Sequence, residues 1–250
     1  MYKVQRRPQR EMIFGIHALI EAIKSGKMIE KIMLRRDMGN QLLRDLLSTA
    51  DVENIPVQKV PLEKLNQITS KNHQGAIAFI SPVEFQKIEN IIPILFEQGK
   101  NPFVIVLDGI TDVRNFGAIA RTAECAGVDA IVVPSARSAA INADAIKTSA
   151  GALLTVPVCR VQNLKNALQF LSESGLKIIA VTEKADINHT TISYIDPLAL
   201  VLGAEDEGIS SEIMNMCNER VAIPLCGIIE SLNVSVAAAV AMYEVVRQRN

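Results

Sequence analysis

The stretch Ile223-Pro224-Leu225-Cys226-Gly227-Ile228-Ile229-Glu230-Ser231-Leu232-Asn233-Val234-Ser235 decides how the rest of the chain is read. A short apolar strand, Val221 to Ile223, stops at Pro224, which has no N–H for a sheet ladder. Gly227 permits a backbone turn that a side chain would forbid. Ser231 and Asn233 are N-cap residue types, and Val234 to Val246 reads as helix. Polar groups and free backbone N–H groups therefore gather where a strand ends and a helix begins. In open α/β folds that is the usual place for a ligand. A plain strand-to-helix connection with a cap has the same sequence, and two similar loops upstream separate the readings.

The first of these loops, Asp108 to Gly117, follows the continuous apolar run Phe103 to Leu107, as expected of a strand buried on both faces. Asn115 is expected to cap the next helix, Gly117 to Ala126, and Arg121 lies within it. The second, Gly203-Ala204-Glu205-Asp206-Glu207-Gly208, follows the strand Leu198 to Leu202. Its glycine spacing is half that of a phosphate loop, but Ile209 and Ser210 stand where Lys and Ser/Thr are needed. Three consecutive acids repel phosphate, yet they can accept from an amine or hydroxyl or face a cation.

Further strands are expected at Ala130 to Val133 and Lys177 to Val181, with helices at Ala143 to Ala152, Leu164 to Leu171 and Ser211 to Cys217. Strands alternating with helices imply a parallel sheet covered on both faces. Ahead of them, Phe14 to Ile80 forms a smaller α/β pattern. Its helices are Gly15 to Lys24, Asn40 to Ala50 and Leu62 to Ile68; its strands are Ile29 to Leu34, Val57 to Val60 and Ala76 to Ile80. The domain reading is a flexible basic arm at 1–12, a small domain at 13–82, a linker at 83–101 punctuated by Pro93 and Gly99, and a larger domain at 102–250.

With 250 residues, 49% hydrophobic and 21% charged, the composition is that of a globular protein rather than a disordered chain. No apolar run reaches the length of a membrane span, and the basic N-terminus lacks the apolar core of a signal peptide. Cys125, Cys159, Cys217 and Cys226 are scattered with no His at ligand spacing, which points to a reducing cytoplasm and away from a metal site. Charge is uneven. Met1 to Lys100 carries 15 Lys+Arg against 11 Asp+Glu, net +4, whereas Asn101 to Asn250 carries 11 against 16, net −5. The basic first part suits a polyanion; a solvated tail and helix face give the same asymmetry.

No G-x-G-x-x-G follows a strand, so a nicotinamide or flavin enzyme is disfavoured. His17, His73 and His189 lie away from all three loops, without a Ser or Cys partner in a nucleophile setting. Each is read as a surface or capping residue, with His73, in the turn Asn72-His73-Gln74-Gly75, the most interesting. The chemistry then needs positioning more than acid–base strength, which fits transfer of an already activated group.

Asn115-Phe116-Gly117-Ala118-Ile119 with Arg121-Thr122-Ala123, Leu202-Gly203-Ala204-Glu205 with Glu207-Gly208, and Ile223-Pro224 with Ser231-Leu232-Asn233-Val234-Ser235 resemble, in order and spacing, the three motifs of the SpoU (TrmH-type) RNA ribose 2′-O-methyltransferases. Arg137-Ser138-Ala139, Ser149-Ala150-Gly151-Ala152 and Thr155-Val156-Pro157 are secondary matches. Phe14 to Ile80 is similar to the family's N-terminal RNA-binding domain, and this layout is most like the RlmB-type enzymes acting on a guanosine of large-subunit ribosomal RNA.

The resemblance implies a C-terminal domain threaded into a deep trefoil knot, S-adenosylmethionine as cofactor, and a homodimer. It also implies that Leu202, Gly203, Ile223, Leu232 and Thr182 hold the cofactor, while Asn115, Arg121, Glu205, Ser231 and Asn233 form the catalytic, RNA-facing cluster. Val113, where Pro is common, loosens the first turn, and Asp206, where Gly is common, adds a charge to the second. A transfer-RNA ribose methyltransferase and a non-catalytic RNA-binding protein of the same fold are the alternatives.

Overall fold

In a computed structural model describing residues 11–39 and 41–250, the chain divides into two compact units. One runs to Val83 and takes in Ile141–Ala143; the other comprises Glu84–Ala140 and Asp144–Asn250. Lys3, Arg6, Arg7 and Arg10 of the expected arm lie outside the described residues, as does Asn40, and Met12 already belongs to a strand.

The first unit contains β1 (Met12–Phe14), α1 (Ile16–Lys24), β2 (Ile29–Arg35), α2 (Gln41–Val52), β3 (Val57–Val60), α3 (Leu62–Ile68) and β4 (Ala76–Ile80). Its sheet runs β1-β4-β2-β3, with β4 antiparallel to β1 and β2, and β3 parallel to β2. Alternation along the strands builds a core on each face. Ile32, Leu34, Ala76 and Ala78 pack with α1 and α2, whereas Met33, Ile77 and Phe79 pack with Leu65 of α3. His73 is buried rather than superficial: its Nδ1 accepts from the Gly75 N–H at 3.0 Å and its Nε2 lies 2.9 Å from Asn66 Oδ1.

The second unit contains β5 (Phe85–Gln86), α4 (Ile88–Glu97), β6 (Phe103–Asp108), α5 (Val113–Cys125), β7 (Ala130–Pro134), α6 (Ala143–Thr148), β8 (Val158–Val161), α7 (Leu164–Glu173), β9 (Lys177–Val181), β10 (Ile187–Asn188), β11 (Leu198–Gly203), α8 (Ser211–Met214), β12 (Glu219–Ala222) and α9 (Val234–Arg249). All eight strands are parallel, in the order β10-β12-β9-β11-β6-β7-β8-β5. From β6 the chain proceeds one way to β7 and β8 and later fills the other side with β9, β11 and β12. The order reverses beside β6 and β11, where Gly203 is in register with Asp108. Loops following these strands all leave at the carboxyl edge, where such a reversal opens a crevice.

Three expectations are corrected here. The segment read as a linker holds β5 and α4, whose Ile88, Ile92 and Leu95 enter the core of the second unit. Pro93 is tolerated because it sits on the exposed face, so the carbonyl it leaves without an N–H faces water. The helix read as Ala143 to Ala152 ends at Thr148, because Ala150 and Gly151 take left-handed backbones (φ 51° and 89°) before a short 3₁₀ turn. The helix read as Ser211 to Cys217 stops at Met214.

Carboxyl-terminal residues fasten α9 to the segment before β11. Gln248 accepts from the Tyr194 N–H at 3.0 Å and donates to Ile192 O at 3.0 Å, while Arg249 donates to Tyr194 O and Asp196 O at 2.9 and 2.7 Å. Glu244, buried beneath them, accepts from Arg247 at 2.8 and 2.6 Å and from Gln248 at 2.7 Å. The Arg247 hydrogen bond outweighs burial and lowers the Glu244 carboxyl from 4.5 to about 2. Because the folded pKa is depressed, this contribution to stability is complete above about pH 4.5 and is lost as pH falls through about 2. Urea midpoints measured across that window are expected to drop less steeply for Glu244→Gln than for the parent protein. Among the described residues no helix is long and apolar enough to cross a membrane.

Candidate active site

Three loops meet at the carboxyl edge of the eight-stranded sheet. Asp112, rather than Asn115, caps α5, accepting from the N–H groups of Arg114 and Asn115 at 2.8 and 2.9 Å. That leaves the Asn115 side chain in the first turn free for another partner. Asn233 caps α9 as expected, its Oδ1 accepting from the Ser235 N–H at 3.0 Å and hydroxyl at 2.6 Å. Its amide nitrogen donates to Asn115 Oδ1 at 3.1 Å and to Glu205 Oε1. One side chain therefore joins all three loops, and the donors fix which way its amide points.

The loop after β11 is a tight turn. Ala204 and Gly208 exchange backbone hydrogen bonds at 3.2 and 2.9 Å, and Gly208 takes φ 71°. Gly203 lies against that turn so closely that an added Cβ would fall 2.1 Å from Gly208 C and Ile209 N. The Asp108 carboxylate at the end of β6 receives the Ser210 N–H at 2.8 Å, tying the far side of the turn to the sheet. Gly227, by contrast, has no left-handed backbone and no atom within 4 Å of a would-be Cβ, so the third loop does not require a glycine there.

Glu205, and Leu232 and Val234 on either side of Asn233, also line a cleft of about 390 Å³, together with Val181 to Lys184, Leu202 to Ala204, Asp206 to Ile209, Glu230, Ser231 and Ala237. Leu202, Gly203, Thr182 and Leu232, expected to hold a cofactor, all line it, together with Ser231. Ile223 lines an adjoining pocket of about 60 Å³ with Thr182, Leu225 and Leu232. Glu183, Glu205, Asp206, Glu207 and Glu230 make the cleft rich in carboxylates, with Lys184 as the lining cation.

Arg121 is not brought into the cluster within this chain. It is exposed on α5, six residues beyond Asn115 and therefore about 120° round the helix from it. Among the described residues its guanidinium has no hydrogen-bond or ion-pair partner. The sequence reading also missed the Asp112 cap, the Asp108–Ser210 bond, and an ion pair between Arg137 and Glu207. Only the last had a signal, since Arg137-Ser138-Ala139 stood out as a secondary motif match. Among the described residues no group of His, Cys, Asp and Glu is arranged to hold a metal ion. Burial pushes the Cys159 thiol up to about 12 and the Cys217 thiol to about 11, so neither is an available thiolate.

Residues 102–243, which contain all three loops, match the SpoU rRNA Methylase family. The chain belongs to that family. Residues 12–86 match the RNA 2′-O ribose methyltransferase substrate binding family, which makes the first unit the substrate-binding module of a SpoU-type RNA 2′-O-ribose methyltransferase. A protein of Staphylococcus saprophyticus named as a TrmH family tRNA/rRNA methyltransferase is 36% identical over 96% of both chains. Its Bacillus subtilis counterpart YacO is 32% identical over 97% of both. Among solved structures, the SpoU methyltransferase AviRb of Streptomyces viridochromogenes covers 96% of this chain and 90% of its own, at 20% identity and a TM-score of 0.62. An AdoMet-bound rRNA methyltransferase of Sinorhizobium meliloti follows at 21% identity and 0.61, covering 96% and 87%. At these identities the two structures speak for the SpoU fold alone.

Proposed function

We infer that this SpoU-family protein transfers a methyl group from S-adenosylmethionine to the 2′-hydroxyl of a ribose in RNA, with a guanosine of large-subunit ribosomal RNA as target. The observation that carries the reading is Asn233, which joins Asn115 to Glu205, and Glu205 in turn lines the cleft. The cleft suits this cofactor by its chemistry: Leu202, Ile223 and Leu232 offer apolar surface, and the surrounding carboxylates suit a ligand bearing sulfonium and amine cations. Thr182, Gly203 and the neighbouring backbone complete the binding set. When bound, the cofactor supplies an electrophilic methyl group that needs no further activation.

What remains for the protein is positioning, which can supply much of the acceleration of a group transfer. Asn115, Glu205, Ser231 and Asn233 orient the RNA side of the site. Arg121 stands apart from this cluster within one chain, so the reading brings it to the site from the second copy of the homodimer. There its planar guanidinium, too firmly protonated to be the base itself, faces the ribose hydroxyl and the adjacent phosphate and stabilises negative charge as the hydroxyl proton leaves. Arg121→Lys is therefore expected to lose nearly as much turnover as Arg121→Ala, because the fork is lost with the charge kept. Near-parental turnover in the Lys variant, measured with saturating RNA, would refute the fork.

The reading includes a homodimer, a knotted second unit and a cytoplasmic setting. Helix α9 is apolar on its outer face, with Val236, Val240 and Tyr243 exposed at 47%, 36% and 51% at helical spacing, which suits a second copy. Val240→Asp is expected to shift the light-scattering mass from dimer to monomer. The knot rests on membership of the SpoU family, and the sheet has β11 inserted between β6 and the earlier strand β9. The reaction is tested by incubating the protein with methyl-labelled S-adenosylmethionine and, in parallel, unmodified ribosomal and transfer RNA. Label confined to ribosomal RNA is expected; label confined to transfer RNA would keep the chemistry and change the substrate, and failure to bind cofactor would end the enzyme reading.

A further inference from the structure

Arg137 lies in the loop after β7, three residues beyond Pro134, and takes a left-handed backbone at φ 57°. Such a conformation is uncommon for a residue with a long side chain, and strained backbone gathers at functional sites. The loop is pinned just beyond it, where the Ala139 N–H donates to Ile110 O at 2.7 Å. The guanidinium pairs with Glu207, and the two side chains are 66% and 70% exposed. An ion pair this open to water contributes little to stability. Bracing the fold is thus a poor reason to hold Arg137 in a strained conformation.

The position of its partner suggests a better one. The turn between Ala204 and Gly208 carries three carboxylates, of which Glu205 reaches Asn233 and Glu207 reaches Arg137 on the other side. A phosphodiester approaching the cluster meets this acidic turn, in a part of the chain whose net charge is −5 (11 Lys+Arg against 16 Asp+Glu from Asn101 to Asn250). A guanidinium fork that accommodates a carboxylate accommodates a phosphate with the same geometry.

We propose that Arg137 is a substrate-binding residue that grips an RNA phosphate beside the target ribose, and that Glu207 holds the guanidinium until RNA takes its place. The inference rests on the RNA methyltransferase reading above. RNA docking exchanges one anionic partner of Arg137 for another, and the released Glu207 turns to solvent.

The test is equilibrium binding of unmodified large-subunit ribosomal RNA to the full chain, with S-adenosylhomocysteine present, at several salt concentrations. Arg137→Asn suits the left-handed backbone, so a loss is not a folding defect. It is expected to weaken RNA binding roughly tenfold and to lower the salt slope by about one, with S-adenosylhomocysteine affinity unchanged. Glu207→Gln is expected to tighten RNA binding, and that gain is expected to shrink when Arg137→Asn is added, which separates a freed guanidinium from a merely removed repulsion. The proposal is overturned if both single variants weaken RNA binding, if the Glu207→Gln gain is the same with and without Arg137, or if Arg137→Asn weakens S-adenosylhomocysteine binding. A parent protein that bound no RNA would bring down the function reading itself, a result visible before any variant is made.

Discussion

Gly203→Ala is expected to weaken cofactor binding severely while leaving a folded protein. A Cβ at this position is rigidly placed, and it would lie 2.1 Å from two backbone atoms of Gly208 and Ile209 and 2.4 Å from Gly208 O. No rotamer can relieve that overlap. Either β11 must recede at its end or the turn that carries Glu205 must lift away from the cleft. Overpacking of this kind costs roughly 1–3 kcal/mol, which a domain with an eight-stranded sheet can absorb. The cleft wall cannot, because Leu202 to Ile209 form one side of it. Calorimetric titration should show S-adenosylmethionine affinity falling by about two orders of magnitude or more, equivalent to some 2.7 kcal/mol. A variant that bound cofactor normally would mean that the turn is not part of the binding site.

Asn233→Asp is expected to cost turnover without costing the helix. Aspartate still offers an oxygen to the Ser235 N–H, so the cap on α9 is kept. The donor to Asn115 and Glu205 disappears, and a second carboxylate is set against Glu205. By analogy with the loss of one preorganised polar group at a reacting centre, turnover should fall by about 10²–10³. Asn233→Ala should lose similar activity and about 1 kcal/mol of stability besides, because the cap goes too. Adding Glu205→Gln to Asn233→Asp should restore part of the activity by removing the repulsion. Turnover together with thermal melts of these three proteins separates the two duties of Asn233. Equal melting temperatures for the Asp and Ala variants would argue against the capping role.

Much of the architecture was legible because its signals are local. The continuous apolar runs Phe103 to Leu107 and Leu198 to Leu202 read as strands, the first as one buried on both faces, and they are neighbours at the centre of the sheet. Strand-to-helix alternation then implied the parallel order. Helix α4 is masked in the sequence by Pro93 and Gly99, which read as breaks, although Ile88, Ile92 and Leu95 keep helical spacing on the opposite face. Strands β5 and β10, two residues each, exist through pairing with β8 and β12 and leave no periodic trace.

The candidate site was legible motif by motif but not as a constellation. Asn233 reaches Asn115 across 118 positions and Glu205 across 28, separations that no spacing rule encodes. The choice of Asp112 over Asn115 as helix cap was equally hidden, since both residue types cap well, yet it releases Asn115 for the cluster. Arg121 shows the reverse case. Its motif put it with Asn115, while helix geometry turns it to another side of α5.

Whether this SpoU-family protein methylates a ribose oxygen of RNA, rather than a base, is decided by alkaline hydrolysis of the labelled product. Alkali cleaves RNA through the free 2′-hydroxyl, so a methylated ribose protects the phosphodiester that follows it. Methyl label incorporated into ribosomal RNA is expected to survive alkali as a single resistant dinucleotide. Label recovered only in alkali-released mononucleotides would place the methyl group on a base and rule out ribose methylation.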